Sequence, residues 1–565
     1  MKKTVVMIAL LLLAIVLYGC RNSPSSNVPP ELSGEEPSLQ PGEIMISKDT
    51  KVVFVRSDDC TASMKSSIGN LGKRFQSLTG IPVQHSTGSE AIRNFSPDTV
   101  YVTFGYVEME DTISVHQALS YGDYGIFIQN NTIAVAGWNE GALTAGCGQL
   151  LNIFNLAYHD GVITLSKEQN RTFQENNCLS GIPKYGDKAL KTVYDCGDNG
   201  WMIAVESGKS DYNAYLKALE EQGYSRCAEN QIGQNLYVTY QNDSLILNVS
   251  YYESAGEARV FCDPAATTAL PVVSNAAQDA VCTTTMAQLQ FVYSGGDVVR
   301  GMGYVFRTSG GKFVIVDGGK NEGILDDELY RYLYENAPDP DHIVVAAWLF
   351  THGHGDHVGT FINFAKNYSD KVTVEQFVFN RPSDAYHAVL DEGLWKNTYS
   401  AIKNYYGSAE IVKAHPGQRF VIDDLAIDIY FTIELYAPET GIYNDSSVVM
   451  MVTVKNRKIL LLGDSSNNVA RLIMSLYGDS LKADFVQLAH HGYLGGGSKG
   501  ELYALADPTY VLMPGSMEVY EERKDRDYLK PLVESVPFER WYVADIQTHI
   551  FTFISQEGVT VETWS

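Results

Sequence analysis

The sequence predicts an α/β protein in which two small α/β or α+β domains precede a larger C-terminal α/β domain. At 565 residues the chain is too long for one hydrophobic core. Apolar runs of strand length alternate with segments of helical periodicity. Every cysteine lies before residue 283, which indicates a boundary there. We therefore expect domains at 44–185, 186–282 and 283–565, after a signal at 1–20 and a tether at 21–43.

The first 43 residues are expected to lie outside the folded domains. Two lysines precede an apolar stretch from Val5 to Tyr18, which is typical of a secretory signal. The stretch ends in "LYGC", which resembles the lipobox of bacterial lipoprotein signals and implies lipidation at Cys20. Residues 21–43 contain five prolines and no aromatic residue, as a tether does. We expect a lipid anchor at the extracytoplasmic face of the cell membrane; an uncleaved N-terminal anchor is the alternative.

Charge and cysteine content narrow the classes of partner. The net charge is −25, and no run of lysine and arginine offers a groove for a nucleic acid. Binding of long nucleic acids is therefore not expected, whereas a small or oligomeric substrate remains compatible with this charge. Seven cysteines follow Cys20. They are either buried thiols or partly paired, and sequence does not give the pairing.

Residues 44–185 are predicted to form a small α/β domain. A helix is expected from Met64 to Leu78, and two strands at 124–128 and 132–136 flank a "QNN" turn. A helix of small residues opens after this hairpin. The strand–turn–strand–helix pattern resembles the small α/β domain beside the catalytic domain of many glycoside-processing enzymes. A scaffold role is the expectation.

Residues 186–282 are predicted to form an α+β module. Tyr212, Tyr215, Leu216 and Leu219 recur at helical spacing, and Gly223 ends that helix. A strand precedes the helix, and a hairpin and a last strand follow it. The tyrosines are expected to pack in the core or an interface. The alternative is that they stack on sugars, which would give residues 44–282 a contact with glycan.

Residues 283–565 hold buried strands that each end in a polar group. The polar groups at the strand ends are Asp317 after "KFVIV", His352 after "HIVVAAWLFT", Asp464 after "KILLLG" and His490 after "DFVQLA". Sites commonly form where such strand ends converge. We expect these side chains to meet.

One loop, "THGHGDHVGT", concentrates possible metal ligands: His352, His354, Asp356 and His357. Imidazole and carboxylate suit zinc, iron or manganese rather than calcium. Side chains two residues apart in an extended backbone point the same way, so His352 and His354 face the same side. Asp356 and His357 are consecutive and cannot both face that side. The loop is therefore predicted to supply two metal ions.

Four ligands are too few for two ions, so others are expected downstream. The candidates stand after apolar runs or in a turn: His415 in "KAHPGQRF", Asp464 in "LLLGDSSN" and His490 in "LAHHGY". His491 is not separable from His490 by sequence, although the residue nearer the strand end is favoured.

These motifs carry a family resemblance. "THGHGDHVGT" matches the H-x-H-x-D-H signature of the metallo-β-lactamase fold. "NDSSVVMMVTVKNRKILLLGDSSN" and "LKADFVQLAHHG" resemble the metallo-β-lactamase domain attached to the competence protein ComEC. The resemblance covers residues 290–550 and implies an αββα sandwich with metals at one edge. Two departures stand out, because ComEC-type domains usually have aspartate in place of His354 and serine in place of Tyr493.

The resemblance also implies roles for single residues. It places one zinc on His352, His354 and His415, the other on Asp356, His357 and His490, and Asp464 between them. It makes Asp317 a structural aspartate that supports the metal loop without binding.

The expected activity is metal-dependent hydrolysis. A metal-bound hydroxide would attack an acyl or phosphoryl centre, and Asp356 would orient it and pass on its proton. The ComEC-like motifs favour a phosphodiester as substrate. The alternatives are a lactone, a β-lactam or a wall-derived ester or amide. A third possibility is a surface glycan-binding lipoprotein whose metallo domain is not catalytic.

Overall fold

The computed structural model describes residues 43–58, 60–109, 112–113, 115–116, 119–137, 140–173, 178–186, 188, 190–274, 280–290, 301–321, 324–383, 393–437, 442–493, 500–545, 547–554 and 558–564. The predicted signal, most of the tether and Cys20 lie outside these residues. Among the described helices, none is both long and apolar enough to cross a membrane.

The first segment forms a mixed six-stranded sheet in the order β3-β2-β4-β6-β5-β9 and a small sheet in the order β1-β8-β7. Its strands are β1 (Ile44–Ile46), β2 (Lys51–Arg56), β3 (Val83–Thr87), β4 (Thr99–Phe104), β5 (Tyr124–Gln129), β6 (Thr132–Gly137), β7 (Tyr158–His159), β8 (Val162–Leu165) and β9 (Arg171–Phe173); its helices are α1 (Ala62–Thr79), α2 (Gly88–Arg93) and α3 (Glu140–Ala157). The predicted hairpin is confirmed, since β5 and β6 pair antiparallel. Helix α1 begins where the Thr61 side chain accepts a hydrogen bond from the Met64 amide, and it ends at Gly80, whose φ is 72°.

The second segment is a six-stranded antiparallel sheet in the order β10-β11-β15-β14-β13-β12, with one helix. Its elements are β10 (Leu190–Gly197), β11 (Gly200–Glu206), α4 (Lys209–Glu221), β12 (Ser225–Ile232), β13 (Asn235–Gln241), β14 (Leu245–Tyr252) and β15 (Glu257–Pro264). Helix α4 buries Tyr212, Tyr215, Leu216 and Leu219 against one face of this sheet. These tyrosines are core residues, as expected.

The third segment is a sandwich of two sheets. The first sheet contains β16 (Thr285–Gln288), β17 (Gly303–Arg307), β18 (Phe313–Asp317), β19 (Ile343–Leu349), β20 (Val372–Val374), β21 (Gln376–Phe379), β22 (Glu410–Lys413), β30 (Thr548–Phe553) and β31 (Val559–Trp564). The second contains β23 (Arg419–Ile422), β24 (Leu425–Phe431), β25 (Val449–Val454), β26 (Arg457–Leu461), β27 (Phe485–Gln487), β28 (Tyr510–Met513) and β29 (Trp541–Val543). Their inner faces share one buried core.

Helices cover both outer faces of the sandwich. They are α5 (Leu325–Asn336), α6 (Gly355–Tyr368) and α7 (Trp395–Tyr405) on the first sheet, and α8 (Asn467–Tyr477), α9 (Gly500–Ala506), α10 (Met517–Arg523) and α11 (Lys530–Ser535) on the second. The predicted αββα architecture, preceded by two smaller sheet-containing segments, is confirmed.

The second segment is packed onto the sandwich rather than standing apart from it. Met202, Tyr252 and Phe261 belong to the same buried core as Phe431 and Met451 of the second sheet. Residues 265–274 lie before the boundary that the cysteines indicate, but they already form backbone hydrogen bonds with strands of the sandwich. The bonds run from the amide of Ala269 to the carbonyl of Ile411 and from the amide of Val421 to the carbonyl of Val272.

Candidate metal centre

The ends of four strands bring polar side chains together at one edge of the sandwich. Asp317 is the last residue of β18, and the loop that begins with Thr351 follows β19. Asp464 follows β26, and a short 3-10 helix at Ala489–Gly492 follows β27. Each strand is buried, so its backbone fixes where the next side chain enters the site.

Two groups of possible ligand atoms result. His352, His357 and Asp464 form one, and Asp356, His357 and His491 form the other; within each group the atoms all lie within 4.8 Å of one another. The Nε2 atom of His357 is 3.2 Å from Oδ1 of Asp464 and 3.3 Å from Nε2 of His491. Asp464 therefore lies beside both groups, as a bridging carboxylate would.

The imidazole nitrogens and carboxylate oxygens of these groups suit divalent metal ions. Oδ1 of Asp464 is buried and lies 3.2 Å from Nε2 of His357 and 3.5 Å from Nε2 of His491. Burial would raise the pKa of Asp464, but the His357 and His491 imidazoles hold that pKa well below its usual range. Burial would lower the pKa of His491, but Asp464 and Asp356 raise it to about 9. Without a metal these histidines hold protons that a cation would displace, and nitrogen and oxygen donors of this kind suit zinc, iron or manganese.

Asp317 holds the metal loop through hydrogen bonds and belongs to neither group of ligand atoms. Its Oδ1 accepts a hydrogen bond from the Thr351 amide at 2.8 Å, and its Oδ2 accepts from the Thr351 hydroxyl at 2.7 Å. The same Oδ2 lies 2.7 Å from Nδ1 of His357. If Nδ1 donates this bond, Nε2 of His357 keeps its lone pair toward the site. Asp317 adopts a φ of 58°, a conformation that aspartate and asparagine tolerate better than most residues.

One family model matches the part of the chain that contains this site. Residues 296–523 match the family model described as "Metallo-beta-lactamase superfamily". The C-terminal part of this chain is a metallo-beta-lactamase superfamily domain. No curated protein gives a significant match.

Several solved structures match part of this chain at low identity. CmlA, a diiron beta-hydroxylase from Streptomyces venezuelae, is 12% identical, with 50% of this chain and 54% of that chain covered and a TM-score of 0.30. Unliganded yeast PDE1 is 11% identical, with 46% and 93% covered and a TM-score of 0.28. Rm3 metallo-beta-lactamase is 16% identical, with 38% and 79% covered and a TM-score of 0.23. The match thus spans about half the length of CmlA, and these values say nothing about the substrate of this chain.

Gly353 occupies a position in the metal loop where a side chain would not fit. A Cβ there would lie 2.7 Å from the Trp395 indole and from the Tyr443 hydroxyl. The amide of Leu394 also donates to the Gly353 carbonyl at 2.7 Å. Two neighbouring segments therefore hold the loop from its outer side.

His354 lies at the edge of the metal centre. Its Nδ1 is 2.9 Å from Nε2 of His352, and its ring packs on Tyr443 at 4.8 Å between centroids. It belongs to neither group of ligand atoms. Its predicted role as a ligand stays a prediction.

The geometry favours the second of the two neighbouring histidines, whereas the sequence favoured the first. His491 is 2% exposed and lies in a ligand group, whereas His490 is 24% exposed and its Nε2 is 4.0 Å from Asp464. Both residues adopt a positive φ, 52° and 54°. This left-handed turn leaves the first histidine partly exposed and buries the second, and the role of His490 as a ligand stays a prediction. The Nδ1 atom of His491 lies 2.6 Å from the carbonyl of Pro514.

His415 contacts the second segment, and its predicted role as a ligand stays a prediction. Its Nε2 lies 2.7 Å from Oδ2 of Asp263, and its Nδ1 lies 4.0 Å from Oε1 of Glu434. It is in neither ligand group. The second segment closes over the end of β22 and supplies a carboxylate to this imidazole. That packing could not be seen from the motif "KAHPGQRF".

The sequence reasoning missed a loop that borders the site. A 3-10 helix at Tyr443–Ser446 precedes β25, and Val448 donates its amide to the Thr351 carbonyl at 2.8 Å. The Ser447 hydroxyl accepts from the Asp464 amide at 3.0 Å. The signal was the polar run "YNDSS" before a buried strand, whereas the other site residues were predicted because they follow buried strands.

Proposed function

We propose that this chain is a metal-dependent hydrolase. The observation that carries the proposal is the convergence of His352, Asp356, His357, Asp464 and His491 into two overlapping groups of metal-ligand atoms. These residues come from three separate parts of the sequence, and structural stability alone does not require such a set. Its position at the strand ends of a metallo-beta-lactamase superfamily domain supports the same reading.

Those five residues would hold a pair of divalent cations, for which zinc is our choice and iron or manganese the alternatives. When bound, the cations supply Lewis acidity and make a water nucleophilic at neutral pH. His352, His357 and His491 are buried, so bulk water does not compete for their ring nitrogens. Asp317 fixes the orientation of His357 through its Nδ1.

Asp356 is the proton acceptor in this proposal. It is the most exposed of the five residues, at 28%, so it can reach both a substrate and solvent. Burial would raise the pKa of Asp356, but the nearby His491 and His357 keep it well below the usual range, so the carboxylate is ionised. It can orient a water by accepting its hydrogen bond and can pass the proton onward.

A phosphodiester is the proposed substrate class. Helix α6 begins at Gly355 inside the metal loop, and α8 begins three residues after Asp464. Helix N-termini favour anionic groups, and these two begin beside the ligands. The resemblance to ComEC-type motifs supports the same class. The net charge of −25 favours a small or oligomeric diester over a long nucleic acid.

We also propose that the chain is a lipoprotein held at the extracytoplasmic face of the cell membrane through Cys20. The apolar stretch and the "LYGC" motif support this proposal. Mass spectrometry of the N-terminal peptide from membranes tests it, because lipidation adds a diacylglyceryl group to Cys20. A processed N-terminus without that mass would contradict the proposal.

A substrate panel tests the hydrolase. Purified protein would be assayed against bis(p-nitrophenyl) phosphate, a lactone, a β-lactam and a p-nitrophenyl ester, with and without a chelator. The matched variants are H352A, in the site, and H342A, whose side chain is 80% exposed on the surface. We expect diester hydrolysis that the chelator and H352A abolish and that H342A retains. Faster hydrolysis of the lactone or the β-lactam would mean that a phosphodiester is the wrong substrate class. Equal activity in H352A and H342A would contradict the assignment of His352 to the active site.

A further inference from the structure

A buried ion cluster joins the second segment to the metallo-beta-lactamase domain. Asp263, the second-last residue of β15, lies 2.9 Å from Nζ of Lys413 and 2.7 Å from Nε2 of His415. All three side chains are buried. Removing one partner from such a cluster leaves an uncompensated buried charge, which is costly. The cluster therefore fixes the end of β22 against β15.

A tight turn of the second segment extends this contact. Nζ of Lys413 donates to the Gly197 carbonyl at 3.1 Å. The turn between β10 and β11 packs closely on the sandwich, since a Cβ on Gly197 would lie only 3.3 Å from Cα of Ser383. In the same turn Asp198 lies 3.8 Å from Arg381. The turn therefore rests on residues 381–383, which follow β21.

Side-chain contacts at the end of β21 connect the end of β22 with the metal loop. Asn380 donates from Nδ2 to the Ala414 carbonyl at 2.9 Å and to Oε1 of Glu434 at 2.6 Å, so its position depends on the end of β22. The ring of Phe379, beside it, lies 5.0 Å from the Trp395 ring, and the neighbouring Leu394 amide donates to the Gly353 carbonyl. The end of β21 is thus held by the end of β22 and contacts residues that hold the metal loop.

We propose that Asp263 is a positioning residue for the metal centre, acting through Lys413, Asn380 and the contact between Phe379 and Trp395. The effect on turnover rests on the proposed hydrolase function, whereas the effect on local order does not. The second segment is then part of the catalytic unit. It holds the outer side of the metal loop although it contributes no ligand to either described group.

The test uses the full chain with a charge-balanced double variant, D263N/K413M, which removes both buried charges together. The control is K312M/E375Q, an ion pair of 2.8 Å at the other end of β21, where the side chains are 40% and 38% exposed. Hydrogen–deuterium exchange is followed in peptides covering 376–383 and 393–401. Metal content, kcat and KM are measured on the same samples.

We expect faster exchange in both peptides for D263N/K413M and exchange like wild type for K312M/E375Q. We also expect kcat to fall about tenfold to a hundredfold while metal stoichiometry is retained, because small misplacement of a catalytic loop has effects of that size. Exchange like wild type in both peptides would overturn the inference. If the wild type shows no hydrolysis, the proposed function fails, but the exchange data still decide the positioning role.

A second variant covers loss of folding in the double variant. D198N removes the charge that pairs with Arg381, where the side chains are 42% and 25% exposed, and asparagine tolerates the φ of 51° at this position, so global unfolding is not expected. Faster exchange in residues 376–383 and 393–401 would support the inference. Unchanged exchange in both peptides would contradict it.

Discussion

The substitution D317N tests how the metal loop is built. The Asp317 carboxylate accepts two hydrogen bonds from Thr351 and lies 2.7 Å from Nδ1 of His357. The introduced amide can keep its oxygen toward the Thr351 amide, but its NH2 group then faces Nδ1 of His357. That nitrogen must become an acceptor, so the proton moves to Nε2, where a metal would bind. The change is nearly isosteric, and asparagine tolerates the positive φ.

The expected loss has two components. One charge-assisted hydrogen bond disappears, which costs about 1.5–3 kcal/mol of folding free energy. The wrong tautomer weakens metal binding about tenfold to a hundredfold, the usual effect of losing the carboxylate that orients a histidine ligand. Chemical denaturation measures the first, and competition with a chromophoric chelator measures the second.

The matched control for this experiment is D423N. Asp423 also has a positive φ, 52°, and accepts a hydrogen bond from the Thr308 hydroxyl, but it lies in the turn between β23 and β24. We expect D423N to lose stability without losing metal affinity. Metal affinity like wild type in D317N would refute the proposed role of the aspartate.

Three further predictions follow from the contacts described above. H491A should bind one metal ion fewer than wild type or none, whereas H490A should keep the wild-type metal content. Measurement of the metal-to-protein ratio in both purified variants tests this. A chain of residues 283–565 alone should aggregate or show no cooperative unfolding transition, since it exposes the face that Phe261 and Met202 cover. The stability difference between wild type and D263N should narrow below about pH 4. Burial would raise the pKa of Asp263, but Lys413 and His415 keep the folded pKa well below the unfolded value near 3.9, so its contribution is complete above that value and is lost as pH falls.

A specific outcome would contradict each of these three predictions. Loss of metal in H490A with retention in H491A would reverse the assignment of the two histidines. A cooperative transition in 283–565 would show that the second segment is dispensable for folding. A stability difference that is constant from pH 7 to pH 3 would mean that the Asp263 charge is not what stabilises the contact.

The fold was predictable where local pattern decides structure. The hairpin at 124–137 and the helix at 209–221 followed from turn residues and helical spacing. The strand ends that deliver Asp317, His352 and Asp464 followed from buried apolar runs. Each of these depends on short-range chemistry that the sequence displays directly.

Long-range packing and backbone conformation around the candidate site could not be predicted from the sequence. His415 stands after a strand end like the residues of the two ligand groups, and only the folded second segment shows that Asp263 lies beside it. His490 and His491 differ in burial through a left-handed turn, and no glycine or asparagine marks that turn in the sequence. The boundary at 282 relied on cysteines, whereas residues 265–274 already bond to the sandwich.

The most direct test of the central claim counts metal and measures diester hydrolysis on the same preparations of wild type and D464N. Asp464 is the carboxylate that lies beside both ligand groups. We predict about two equivalents of metal per chain in the wild type, and loss of both metal and hydrolysis in the variant. Hydrolysis that persists unchanged in metal-free protein, or in D464N, would contradict the account.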